Sequence, residues 1–197
     1  MFKILWILAA VTNIWATDYN AIIEDPTIYT PCENGPPGSV FIHDAFNMDN
    51  MKLDLEEDGI HVSGNATVKW NFDPTDRILS RFSVMQFNRG SWEPTVYNVN
   101  NPDFCATMFD KDQYTYKYWW KYVRNREEIQ EKCIKIKDTV LEFDPFIMVL
   151  QLNNIRGVDL RGRYKAVVSY EAFDKNNVRR PTSLCFEIKS ELEKIKT

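Results

Sequence analysis

The sequence is poor in the groups on which most extracellular chemistry depends. Histidine occurs only at His43 and His61, so a nucleophile that needs an imidazole base has only these to draw on. His61 falls on the polar side of an alternating strand pattern and His43 has no partner motif; both read as solvated or structural. No glycine loop able to cradle phosphate, no zinc-ligand spacing and no EF-hand loop is present. Paired carboxylates remain, yet Glu56-Glu57-Asp58 and Glu127-Glu128 read as a turn and a helix surface. A carboxylate-dependent hydrolase is therefore the enzymatic alternative. The expectation is a protein that is not an enzyme and carries neither cofactor nor metal.

Other absences narrow the class further. Beyond residue 16 no apolar run approaches the ~18 residues that suggest a membrane-spanning helix. No linker and no repeat divides the chain, so residues 17 to 197 suit one domain. There is no surplus of positive charge: the formal net charge is −4 and the charges are spread along the chain. That argues against nucleic acid and against strong attraction to anionic membranes.

What is present begins with an export signal over residues 1 to 16: Lys3 opens it, Ile4 to Val11 is its apolar stretch, and Ala16 closes a plausible cleavage site. A secreted, extracellular protein is expected. Four cysteines remain, Cys32, Cys105, Cys133 and Cys185, and an even number in an exported chain reads as two disulfides with three possible pairings. Asn65-Ala-Thr67 is a glycosylation acceptor on the outward parity of its strand, consistent with a glycoprotein.

Most of the chain alternates with period two. Thr17 to Pro31 is an extended lead-in, and Pro31 to Gly38 is a turn-rich hinge where Cys32 can anchor the N-terminal end. Val40 to Phe46 reads as a strand, and Met51 to Glu56 as another, turning at Glu57-Asp58-Gly59. From Ile60 to Phe72 one face carries Ile60, Val62, Gly64, Ala66, Val68, Trp70 and Phe72; small Gly64 and Ala66 midway either meet large partners or mark a bulge in a packed core, or leave room for a ligand in a hollow one. Within Arg77 to Phe87, Phe82 and Val84 compete with Met85 and Phe87 for the inner face. Trp92 to Val99, weakened by Pro94, suits a sheet edge. Thr139 to Leu152 is a strand broken at Asp144-Pro145, whose apolar run from Phe146 to Leu150 predicts cover on both faces. Tyr164 to Tyr170 and Thr182 to Glu191 complete the set, with Leu184, Phe186 and Ile188 inward and Cys185 outward. A bridge from Cys185 would fasten something against the outside.

Between Asn101 and Cys133 the pattern changes. Asn101 suits a helix cap, Pro102 a first helical position and Asp103 the positive end of the helix dipole. Phe104, Cys105, Met108 and Phe109 share one face. The aromatic run from Tyr114 to Tyr122 fits helix, which groups Tyr116, Trp119, Trp120 and Val123, better than strand, which would leave Trp119 and Val123 among lysines. The fold class is thus mostly β: a two-sheet β-sandwich or cup of about eight strands with a helical insert between cysteines.

Asn-Pro-Asp-Phe-Cys105, the helical stretch to Cys133, Leu160-Arg-Gly-Arg-Tyr164 and Leu184-Cys-Phe-Glu-Ile-Lys189, placed after an export signal, resemble the insect chemosensory B (CheB) proteins. These are relatives of the ganglioside activator protein in the ML lipid-recognition superfamily, and the similarity covers nearly all of residues 17 to 197. It implies a cup enclosing a lipid or other hydrophobic molecule, with Cys32 paired to Cys185 and Cys105 to Cys133. The activator protein has eight cysteines and this chain four, so its ganglioside specificity does not transfer with the resemblance. For the chemosensory relatives the implied role is a secreted protein of taste hairs that helps detect hydrophobic cues such as pheromones.

A lipid carrier would draw its inner wall from Val68, Trp70, Phe72, Phe82, Val84, Phe146 and Met148, with Trp119 and Trp120 near the entrance. Apolar burial at about 25 cal/mol per Å² would hold an acyl chain without any polar motif. A chemoreceptor or a membrane surface is the further partner such a carrier would meet. The alternative is a filled sandwich that serves a receptor through exposed aromatics of Tyr114 to Tyr122.

Overall fold

The computed structural model describes residues 16 to 196, apart from the side chain of Tyr114. All but Ala16 of the expected export signal lies outside the described residues.

The chain is mostly strand. In order it forms β1 (Thr17–Ile23), β2 (Thr30–Pro31), β3 (Ser39–Val40), helix α1 (Ile42–Ala45), β4 (Phe46–Asn47), β5 (Met51–Glu56), β6 (Gly59–Val68), β7 (Arg77–Asn88) and β8 (Ser91–Asn101). Three short helices follow, α2 (Phe104–Thr107), α3 (Tyr114–Tyr118) and α4 (Arg126–Lys132), with a 3-10 turn at Trp120–Tyr122. Then come β9 (Val140–Met148), β10 (Gln151–Ile155), β11 (Gly162–Phe173) and β12 (Arg179–Lys194). The larger sheet runs β10-β1-β12-β11-β7-β8, with β2 and β3 also on β12; the smaller holds β4, β6 and β5, with β9 on β6.

The expected mostly-β, two-sheet architecture is what forms, with twelve strands among the described residues rather than about eight. Three have only two residues, too short to show a period. β1 was expected to be only a lead-in, yet it pairs antiparallel with both β10 and β12. Val40 to Phe46 is not a strand: α1 interrupts it, and the Asp44 side chain accepts a hydrogen bond from the Phe41 amide at 3.2 Å.

Gly64 sits beside a bulge. Across β6 and β9, Val62 faces Phe146 and Gly64 faces Phe143, so Asp144 and Pro145 together oppose Ser63. The strand therefore continues through the Asp144-Pro145 break. Gly64 itself has φ +96°, and a Cβ there would lie 2.0 Å from the Asn50 carbonyl oxygen. The run from Phe146 to Leu150 is not covered on both faces: Phe146 is buried, while Ile147 and Val149 are exposed.

Register settles the contest in β7. Ile78, Phe82 and Val84 lie opposite Ala172, Val168 and Ala166 of β11, the face that carries the core, and Met85 and Phe87 lie on the reverse. On β12, Leu184, Phe186 and Ile188 continue that inner face. β8 is an edge strand of the large sheet, as Pro94 predicts. Asn101 ends β8 rather than capping a helix; Asp103 is the cap, its carboxylate accepting from the Ala106 amide.

Two disulfides close the fold, Cys32–Cys185 across 153 residues and Cys105–Cys133 across 28. Both match the pairing implied by the resemblance. The first holds residues 32 to 38 over the outer face of the large sheet, where Cys185 was expected to fasten something. Two disulfides fit an oxidising environment. No helix among the described residues is long and apolar enough to cross a membrane.

Candidate functional site

The large sheet has an unusual division of solvent between its faces. On the inner face one end is closed, with Ile78, Tyr170, Ala172 and Leu184 buried. At the other end Tyr19, Tyr164 and Leu192 are buried. Between them Phe82, Val84, Ala166, Val168, Phe186 and Ile188 are only half-buried. These six form two rungs across β7, β11 and β12: Phe82-Val168-Phe186 and Val84-Ala166-Ile188. The outer face reverses the usual rule, because its polar and charged side chains Lys165, Ser169, Glu171, Ser183 and Glu187 are all buried.

The small sheet answers the half-buried rungs in kind. Met51 and Leu53, on the face of Gly64 and Val62, and Met148, opposite Ile60, pack only partly against the core, as does Leu150 beyond β9. A close-packed sandwich would bury such side chains completely. The inner-face side chains midway along the large sheet therefore keep contact with solvent.

The nine residues expected to line a cavity separate into two groups. Val68, Trp70, Trp120 and Phe146 are buried core. Trp70 packs on Phe72, ring centroids 5.0 Å apart, and on Phe46 at 6.0 Å, and its indole N–H donates to the Ile134 carbonyl. Trp120 meets Phe104 edge-on at 5.3 Å and sits inside the fold, not at an opening. Phe82, Val84, Phe72, Met148 and Trp119 keep partial exposure. Of these, Phe82 and Val84 belong to the rungs, and Met148 is on the facing sheet.

The segment between Cys105 and Cys133 accounts for Trp120 and Phe146 in the first group. Phe104 and Met108 are buried and Cys105 and Phe109 pack against them, the shared face read from the sequence. Helix α3 stops at Tyr118, and the chain turns so that Trp119 meets Phe143 at 5.2 Å and Phe146 at 5.8 Å. Tyr122 stacks on Phe146 at 3.7 Å, with an interplanar angle of 4°. A bridge from Val123 to Phe143 docks the segment on β9. The aromatic run thus spends itself on packing: Trp120 and Val123 are buried, Tyr116, Trp119 and Tyr122 partly so.

Sequence reasoning missed Ala166, Val168, Phe186 and Ile188 as lining, although their inward parity was legible. It also missed the exposed apolar rim on β8, where Thr95, Val96 and Tyr97 oppose the single residue Val84. Val96 is 89% exposed and Tyr97 53%. An outward loop of this kind has no periodic signal.

The polar cluster at the turn between β5 and β6 is a surface feature. Glu56, Asp58 and His61 bring one donor atom each within 4.8 Å of one another at the turn between β5 and β6. There the His61 ring already pairs with the Asp58 carboxylate at 2.8 Å. That hydrogen bond, with Glu56 and Asp54 nearby, raises the imidazole above its ordinary value. Asn65, where the sequence predicts glycosylation, is on the opposite parity from buried Ala66 and Val68. No family model and no curated protein matches the chain.

Proposed function

We propose that this chain is a secreted, non-enzymatic binder of a lipid or other hydrophobic ligand, held between the sheets over the half-buried rungs of β7, β11 and β12. The observation that carries the reading is the contrast on one sheet: apolar Phe82, Val84, Val168, Phe186 and Ile188 stay partly open on the inner face while charged Lys165 and Glu187 are buried on the outer. Apolar surface left accessible in this way gains about 25 cal/mol per Å² when a ligand covers it. The resemblance to the chemosensory B proteins supports placing that ligand among hydrophobic cues of gustatory or pheromone detection, with a chemoreceptor or membrane surface as the downstream partner.

Native mass spectrometry of the secreted protein, followed by solvent extraction, tests the reading. A stoichiometric hydrophobic molecule, or saturable uptake of a fluorescent fatty acid that Phe82→Ala weakens roughly ten- to hundred-fold, is the expected result. A protein that is empty and refuses added lipids would overturn it. The second reading, a receptor accessory acting through its surface, is favoured by the exposed Val96, Tyr97 and Val99 on β8. It no longer draws on the Tyr114 to Tyr122 run, which is largely packed.

A further inference from the structure

The outer face of the large sheet holds a pocket of about 430 Å³, roofed by residues 34 to 37 and floored by β7, β11 and β12. It lies on the opposite side of the sheet from the half-buried rungs. We propose that this pocket is a second, polar site that takes a small organic anion, a carboxylate or a phosphate monoester, by its charged group.

The pocket is built rather than incidental. Cys185, in its floor, is bonded to Cys32, and this pins the roof in place. Gly35 allows the close approach, since a Cβ there would come within 3.1 Å of the Cys185 Cβ. Pro36 and Pro37 stiffen the roof.

The floor contains an unspent polar group. Ser169 lies between Arg81 and Cys185 in the ladder, on the pocket side of the sheet, and is 5% exposed. Its hydroxyl makes no hydrogen bond to the described residues, nor does that of half-buried Ser83 beside it, and both residues line the pocket.

Charge selects the ligand's sign. Glu171, buried at the pocket wall, gives one carboxylate oxygen to Arg81 and the other to Arg179. Two guanidinium groups thus share one carboxylate, leaving an uncompensated positive charge. Arg179 also donates to the Pro37 carbonyl in the roof, while Arg81 uses a single N–H, on Glu171. The neighbouring charges cancel, because Lys165 and Lys189 are matched by Glu33 and Glu187. The groups left free at the pocket are the rest of the Arg81 fork and the two hydroxyls, while both oxygens of Glu171, the carboxylate in its lining, are taken. A planar fork beside hydroxyls suits a carboxylate or phosphate, and the volume lies within the range of small-molecule sites.

Isothermal titration of the folded protein with lactate and with glycerol 3-phosphate, and with glycerol as the neutral control, tests this site and separates the two anion sources. Binding of at least one anion and none of glycerol is expected. Arg81→Gln should weaken it roughly ten- to hundred-fold, the loss of a charge-assisted hydrogen bond. Ser83→Ala, which removes a side chain with no partner, should weaken it several-fold without disturbing the fold, and decides the matter should Arg81→Gln fail to fold. No heat from either anion at millimolar concentration, equal binding of glycerol, or unchanged affinity in both variants would overturn the site. Lipid uptake between the sheets is unaffected by any of these outcomes, so the two sites stand or fall separately.

Discussion

Lys165 and Glu187 meet at 2.9 Å on the outer face of the large sheet, each almost wholly removed from solvent. The Lys165 ammonium also reaches Glu33 at 3.1 Å, and the Glu33 amide donates to the same Glu187 oxygen at 3.2 Å. The loop fixed by Cys32 therefore covers a charge pair and supplies part of its hydrogen bonding.

Breaking that pair from one side leaves a buried carboxylate without its main counter-charge. Lys165→Met is expected to cost about 3–5 kcal/mol, and adding Glu187→Leu should recover most of the loss, because an apolar pair of similar volume is often as stable as a buried ion pair. Urea denaturation of both variants checks this. A double variant no better than the single would show that the pair is favourable in its own right.

The Cys32–Cys185 bridge should matter as much. Replacing both cysteines by serine is expected to lower stability by about 2–5 kcal/mol, the range for native bridges that close long loops. The exposure of Lys165 and Glu187 should rise with it. Denaturation midpoints, together with hydrogen exchange of β12 amides, read both effects.

Gly64→Ala should destabilise the protein more than a surface glycine substitution does. The residue holds a positive φ and has the Asn50 carbonyl where a Cβ would go, so the loss is expected to exceed the ~1 kcal/mol by which Gly→Ala stabilises a permissive site. Gly90→Ala, with nothing near its Cβ but also at positive φ, separates backbone strain from collision. A Gly64→Ala midpoint equal to that of Gly90→Ala would mean that Asn50 gives way.

His61 supplies a pH dependence with a definite sign. Its hydrogen bond to Asp58 raises the folded-state value above 6.5, and Asp58 is correspondingly held below its ordinary value. The stabilisation is therefore complete below 6.5 and is lost as pH rises through the higher folded value. Proton NMR titration of the ring should give a midpoint above 6.5, and Asp58→Asn should bring it down.

How much of this was legible varies with the physics of each segment. β6 could be read residue by residue because one face meets the core and the other meets water, and the alternation of Ile60, Val62, Ala66 and Val68 records that difference directly. β1 could not, because its place between β10 and β12 rests on backbone pairing, with Tyr19 and Ile23 as its buried side chains. The Tyr114 to Tyr122 run was ambiguous because aromatic residues fill both parities. Its broken helix follows from laying Trp119 and Tyr122 on Phe143 and Phe146, contacts some 20 residues away that local propensity does not encode. The half-buried rungs were hidden for another reason: a sequence pattern tells which face a side chain takes, not how closely the opposite sheet approaches it.

The place of β12 in the sheet also governs the order in which the molecule can be made. β12 is the last strand among the described residues, yet it lies between β1 and β11 and also receives β2 and β3, so residues 17 to 40 pair largely with residues 179 to 194. On a ribosome, β1 and Cys32 must wait for nearly the whole chain while Cys105 and Cys133 emerge and offer wrong partners. Assembly is therefore a closing event rather than a progressive one. Chains halted short of Cys185 should accumulate as mixed disulfides, not as partly built sheets.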